Sequence, residues 1–142
     1  MITVPLFLGG TLYLLFRERS LFMFEWLGLA GLDNVIDCVK RSPLIQTLHF
    51  QNWVIYSLPD GLWSFSLLVS LISIWNYKLS PSNFPWLIVC LGLIFCSEFG
   101  QLIDWIPGTF DPVDILLKLI FSLLALLTIK SITINNTIYE KK

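Results

Sequence analysis

Residues 84–129 read FPWLIVCLGLIFCSEFGQLIDWIPGTFDPVDILLKLIFSLLALLTI. Two apolar runs, 84–103 and 113–129, flank a joint that carries Glu98, Gln101, Asp104, Asp111 and Asp114. A helix needs about 20 apolar residues to cross a ~30 Å hydrocarbon core, so each run predicts a membrane span. The joint reads as a helix end followed by a helix start. Asp111 suits an N-cap, Pro112 the first helical position, and Asp114 the first turn, close to the positive end of the dipole. Lys118 lies one turn beyond Asp114, at the spacing of an i,i+4 pair. Lys130 complements the far end of the same dipole.

Upstream, Ser80-Pro81-Ser82-Asn83 breaks the chain, and residues 58–77 form another apolar segment with Trp75 and Tyr77 as interfacial anchors. Ser57, Pro59 and Asp60 read as N-cap, first-turn proline and first-turn acid. Ser64, Ser66, Ser70 and Ser73 are small polar residues suited to helix contacts in lipid. The first segment, residues 2–16, is short for a span. It lacks the basic start and cleavage site of a signal peptide. Gly9-Gly10 would let a neighbouring helix approach closely. Between the first and second segments, residues 17–53 are neither a span nor a plain loop. Val35, Ile36 and Val39 share one helical face with Asp37, Lys40 and Arg41 elsewhere, the pattern of one or two helices lying in the membrane interface.

The expected fold is therefore all-α, one membrane domain over residues 1–142. It is a bundle of four transmembrane helices with one or two interfacial helices between the first two. Composition agrees: 56% of the chain is hydrophobic and 13% charged. Soluble domains carry about 25% charge, so lipid rather than water is the expected solvent for most of the surface. A net charge of −1 with no basic stripe gives nucleic acid no footprint. Cys38, Cys90 and Cys96 stand singly, and Cys90 and Cys96 read as small buried hydrophobes. With His49 the sole histidine, and neither an EF-hand nor an H-E-x-x-H pattern present, no metal and no cofactor is assigned.

Four spans would place both termini on one side. Lys78, Lys130, Lys141 and Lys142 on that side nearly balance Arg17, Arg19, Lys40 and Arg41 on the other. The expectation is termini inside. The starts of the second and fourth spans and the end of the third then meet at one membrane face. There Tyr56, Ser57, Asp60, Glu98, Gln101, Asp104, Thr109, Asp111 and Asp114 converge. Glu98 is the costliest of them. It sits about five residues, roughly 7 Å, inside the third span. A carboxylate at that depth should face the bundle interior or a wet cavity, with Arg17, Arg19 or Lys118 as available cations. Gln101 shares its side of the helix.

The candidate ligand-binding residues are Glu98, Gln101, Asp60, Tyr56, Asp111 and Asp114, and the candidates for acid–base chemistry are Glu98, Asp111 and Asp114. A purely structural role stands beside each. Asp111 and Asp114 start a helix, and Glu98 with Gln101 could tie a loop or a neighbouring helix. Asp104 is expected at the water boundary. His49, Trp26, Trp53, Trp63, Trp86 and Trp105 are expected as interfacial anchors.

Glu98-x-x-Gln101, a short loop containing Pro107-Gly108, and then Asp111-x-x-Asp114 opening an apolar helix together resemble the VanZ-like family. These are small bacterial multi-span membrane proteins named for a member associated with low-level resistance to teicoplanin. The resemblance covers chiefly residues 98–124. The chain has Gly108-Thr109 where the family often has Gly-Arg, and Lys118 and Phe121 where an Asn-x-x-Gly commonly follows. It implies an envelope protein of the bacterial cytoplasmic membrane, linked to glycopeptide resistance. Such a protein would bind a lipid-linked or cell-wall-related molecule, or a partner membrane protein, at its acidic face. Two other functions fit the same residues: an intramembrane enzyme using Glu98 and an Asp on a lipid-linked substrate, and a proton or cation transporter subunit. No Ser–His pair or metal-ligand set supports catalysis, so a non-enzymatic role is preferred.

Overall fold

The computed structural model describes residues 2–17, 22–106 and 109–139. Arg19, Pro107, Gly108, Lys141 and Lys142 lie outside the described residues. The helices are α1 (Thr3–Phe16), α2 (Phe22–Leu29), α3 (Asp33–Lys40), α4 (Pro43–Thr47), α5 (Asn52–Tyr56), α6 (Leu58–Ser73), α7 (Phe84–Leu102) and α8 (Pro112–Tyr139). The described residues contain no strand. Among the described residues, three stretches are long and apolar enough to cross a membrane: Asn52–Ser73, Phe84–Leu102 and Pro112–Lys130.

The second long helical stretch begins six residues before the expected start. Ser57 does not cap it, since its hydroxyl makes no cap bond and the helix runs on into α5. The break at Ser57 has a backbone cause. Pro59 has no N–H to return to the carbonyl of Ile55, so one rung of the ladder is missing there. At the other end α6 stops at Ser73, short of Tyr77. Asn76 and Tyr77 have positive φ (50° and 59°), and Tyr77 N–H reaches back to the Ile72 carbonyl at 3.1 Å. Asparagine tolerates that left-handed position, and the turn satisfies carbonyls the helix end would leave bare. Asn83 then clamps the short connection to α7. Its Nδ2 donates to the Lys78 carbonyl at 2.8 Å, and its Oδ1 accepts from the Ser80 N–H at 2.7 Å.

α8 packs along α6, and α7 leans on both. Leu68, Val69 and Ile72 of α6, Leu87, Cys90 and Ile94 of α7, and Ala125 and Ile129 of α8 make one dry core. Gly61 sets the distance between α6 and α8, because a Cβ there would come within 2.6 Å of Phe121 Cδ2. Outside this core the long helices expose Ile88, Val89, Leu93, Leu116, Leu119, Leu123 and Leu127. Apolar rows of that extent belong against lipid rather than water.

The expectation of four spans meets a shorter α1. Its 14 residues rise about 21 Å at 1.5 Å each, less than a ~30 Å core. It runs antiparallel to α6: Ser66 Oγ donates to the Ile2 carbonyl at 3.2 Å, and Arg17 Nη2 donates to the Tyr56 carbonyl at 2.8 Å. Gly9 makes the approach possible, because a Cβ there would lie 2.7 Å from Trp63 Nε1, while Gly10 meets nothing. Trp63, expected as an interfacial anchor, packs into this contact, its ring 5.3 Å from that of Tyr13. The described part of residues 17–53 contains three short helices, α2 to α4, and the first residues of α5, where one or two helices were expected. Phe24 is buried, Lys40 Nζ lies 4.7 Å over its ring and donates to the Arg17 carbonyl at 2.9 Å, and α3 contacts α1.

Candidate functional site

Two of the chain's costliest side chains find each other. Glu98 is four residues from the end of α7 and Lys118 six residues from the start of α8, so both sit about 6–9 Å inside their helices. Lys118 Nζ donates to Glu98 Oε1 at 2.8 Å and to Ser97 Oγ at 3.1 Å. Asp60 Oδ2 lies 3.7 Å from the same nitrogen, an ion pair beyond hydrogen-bond range. The Glu98 and Lys118 side chains are 3% and 7% exposed, and that burial excludes most of the water that would otherwise screen them. The sequence offered Lys118 both an i,i+4 pair with Asp114 and a place as cation for Glu98. Its hydrogen bond goes across to Glu98 on α7, where a buried carboxylate has the stronger need of a cation.

Asp114 completes the cluster from the first turn of α8. One carboxylate oxygen from each of Asp60, Glu98 and Asp114 lies within 4.8 Å of the others. The Ser57 hydroxyl stands beside the Asp114 carboxyl. Glu98 Oε2 is buried with no hydrogen-bond partner. A charged acceptor left in that condition costs free energy, so it marks the site as incomplete in hydrogen bonding.

These groups form one wall of a cavity of about 1070 Å³. All six candidate binding residues, Tyr56, Asp60, Glu98, Gln101, Asp111 and Asp114, line it. Asp111 also caps α8 as expected, its Oδ1 accepting from the Val113 N–H at 2.9 Å. Asp104 lies apart and exposed, in the left-handed region (φ 56°) that closes the end of α7. The Tyr56 hydroxyl does not reach the acids. Its ring faces Arg17, whose guanidinium carbon is 5.0 Å from the Tyr56 centroid and 4.9 Å from that of Tyr13. Arg17 lines the cavity.

Of the three cations named for Glu98, Lys118 is the one that pairs with it, as two unlike charges at similar depth in consecutive apolar helices should, because each is expensive alone. Ser97 escaped the sequence reading. Chemically, the cavity presents oxygen acceptors, the Arg17 cation and the aromatic side chains of Trp53 and Tyr56. That set can hold a polar headgroup or a hard cation. Comparison of the chain with protein-family models, with curated proteins and with solved structures gave no match.

Proposed function

We propose that this chain is a VanZ-like membrane protein of the bacterial cell envelope, linked to glycopeptide resistance. In this reading the headgroup of a lipid-linked, cell-wall-related molecule enters the acidic cavity. The observation that carries the reading is the cavity of about 1070 Å³, lined by Glu98, Gln101, Asp111 and Asp114, the residues on which the family resemblance rests. A cavity of that size at the end of an apolar bundle suits an amphiphile, with the head among polar groups and the tail against the exposed leucines of α7 and α8. α1 completes four spans in this reading. Its short length is met by local thinning of the bilayer, and both termini lie on the cytoplasmic side.

Binding is favoured over passage because Leu68, Val69, Ile72, Ile94, Ala125 and Ile129 fill the bundle beyond the polar end, leaving an ion no polar route. Acid–base chemistry is the second reading, supported by the closeness of the Glu98, Asp60 and Asp114 oxygens. Native mass spectrometry of protein extracted from its own membranes tests both. The wild type should carry a discrete lipid-linked species. Gln101→Leu and Asp111→Asn should each cut its occupancy roughly tenfold, the effect of one polar contact worth about 1.4 kcal/mol. Equal occupancy in wild type and both variants would refute a headgroup site, and a chemically altered lipid formed only by the wild type would favour the enzyme.

A further inference from the structure

The carboxylates at the cavity wall outnumber the cation among them. Lys118 pairs with Asp60 and Glu98, and Asp114 joins those two carboxylates, three acidic groups to one basic. Arg17 and Asp111, which line the same cavity, cancel each other formally. With all three ionised, the cluster would carry two negative charges in excess of Lys118. Lys118 engages Glu98 through Oε1 only, and the second oxygen of this 2%-exposed residue is buried without a partner. That oxygen is the independent sign that the site has an acceptor left over for a donor or a cation.

We propose that Asp60, Glu98 and Asp114 form a binding site for a hard divalent cation of calcium's size. The donors are all carboxylate oxygens, with no thiolate or imidazole in the set, which suits calcium or magnesium rather than zinc or copper. Their spacing selects between the two. Ligands at 2.3–2.6 Å from calcium can stand up to about 5 Å apart, whereas the 2.0–2.1 Å shell of magnesium limits them to about 4.2 Å. The observed limit of 4.8 Å fits the larger ion without closing the helices. One divalent ion cancels the two excess charges. The cavity beside it leaves room for water or a ligand oxygen to fill the coordination shell. Lys118 stays on Glu98 Oε1 and acts as a resident competitor, repelling the ion and setting a weak affinity. This site goes beyond the headgroup reading and stands without it.

The test is a calcium titration of the purified full-length protein in detergent after treatment with EDTA, followed by calorimetry. Calcium should bind once per chain, saturably, with a dissociation constant below about 1 mM, the weak end of protein calcium sites. Magnesium should bind more weakly. Asp60→Asn and Asp114→Asn, both at groups that are not fully buried, should keep the helical circular dichroism and weaken binding at least tenfold. Lys118→Met should tighten it at least tenfold. No saturable calcium binding, binding by Lys118→Met alone, or an unchanged affinity in both Asp→Asn variants would overturn the proposal.

Discussion

Lys118→Met, measured in EDTA, is expected to lower unfolding stability by about 3–5 kcal/mol, the usual cost of stripping one partner from a buried pair. Methionine matches the length of the lysine stem, so the loss comes from charge and not from a cavity. Glu98, 2% exposed, would keep its carboxylate beside Asp60 and Asp114 with Lys118 no longer opposing them. Adding Glu98→Gln to Lys118→Met should recover most of the loss, because replacing both members of a buried pair is often close to neutral. Reversible unfolding in detergent, followed by circular dichroism, reads both variants. Equal stability of Lys118→Met and wild type would mean that the lysine is solvated and the pair does not exist as described.

The second large effect is steric. Gly61→Val should cost about 2–3 kcal/mol, the upper part of the range for forcing extra methyl groups into a packed contact. Even a Cβ at this position would sit 2.6 Å from Phe121 Cδ2, and two further methyls push α6 and α8 apart along their principal interface. Phe121→Ala in the same chain should restore a large part of the loss, since it vacates the space the valine needs. Two independent losses that simply add would show that Gly61 and Phe121 do not touch. The α6–α8 contact brings Asp60 to Lys118, so Gly61→Val should also weaken whatever the cavity binds.

Much of this arrangement was legible in the chain because membrane depth makes polar residues costly. Residues 84–103 and 113–129 predict helices that match α7 and the membrane-spanning part of α8 to within a residue or so. Glu98 stood out for its cost, and Asp111 for its place before Pro112. What remained hidden depends on how helices rotate about their axes and where they touch. Both Asp114, at i,i+4 spacing, and Glu98 were visible as partners for Lys118; the choice between them was not, and the lysine bonds Glu98, which lies deeper than Asp114. Ser57 looked like a cap, but the chain before it is already helical, and Pro59 explains the break without a cap. Trp63 has the composition of an interfacial anchor. Only the gap left by Gly9 on α1 draws it inward. The length of α1 was visible in the sequence, but its position half-way along α6 was not. Arg17 carried no signal of its stacking on Tyr13 and Tyr56, a contact set by the antiparallel crossing of α1 and α6.

The central claim is that the polar end of the bundle receives the head of a membrane-linked molecule. Photo-crosslinking in native membranes tests it most directly, with a benzophenone side chain placed either at Tyr56, exposed at the cavity wall, or at Trp86, exposed near the far end of α7. The account predicts a discrete lipid-linked adduct from position 56 that position 86 does not give. Only bulk phospholipid adducts, the same from both positions, would contradict it.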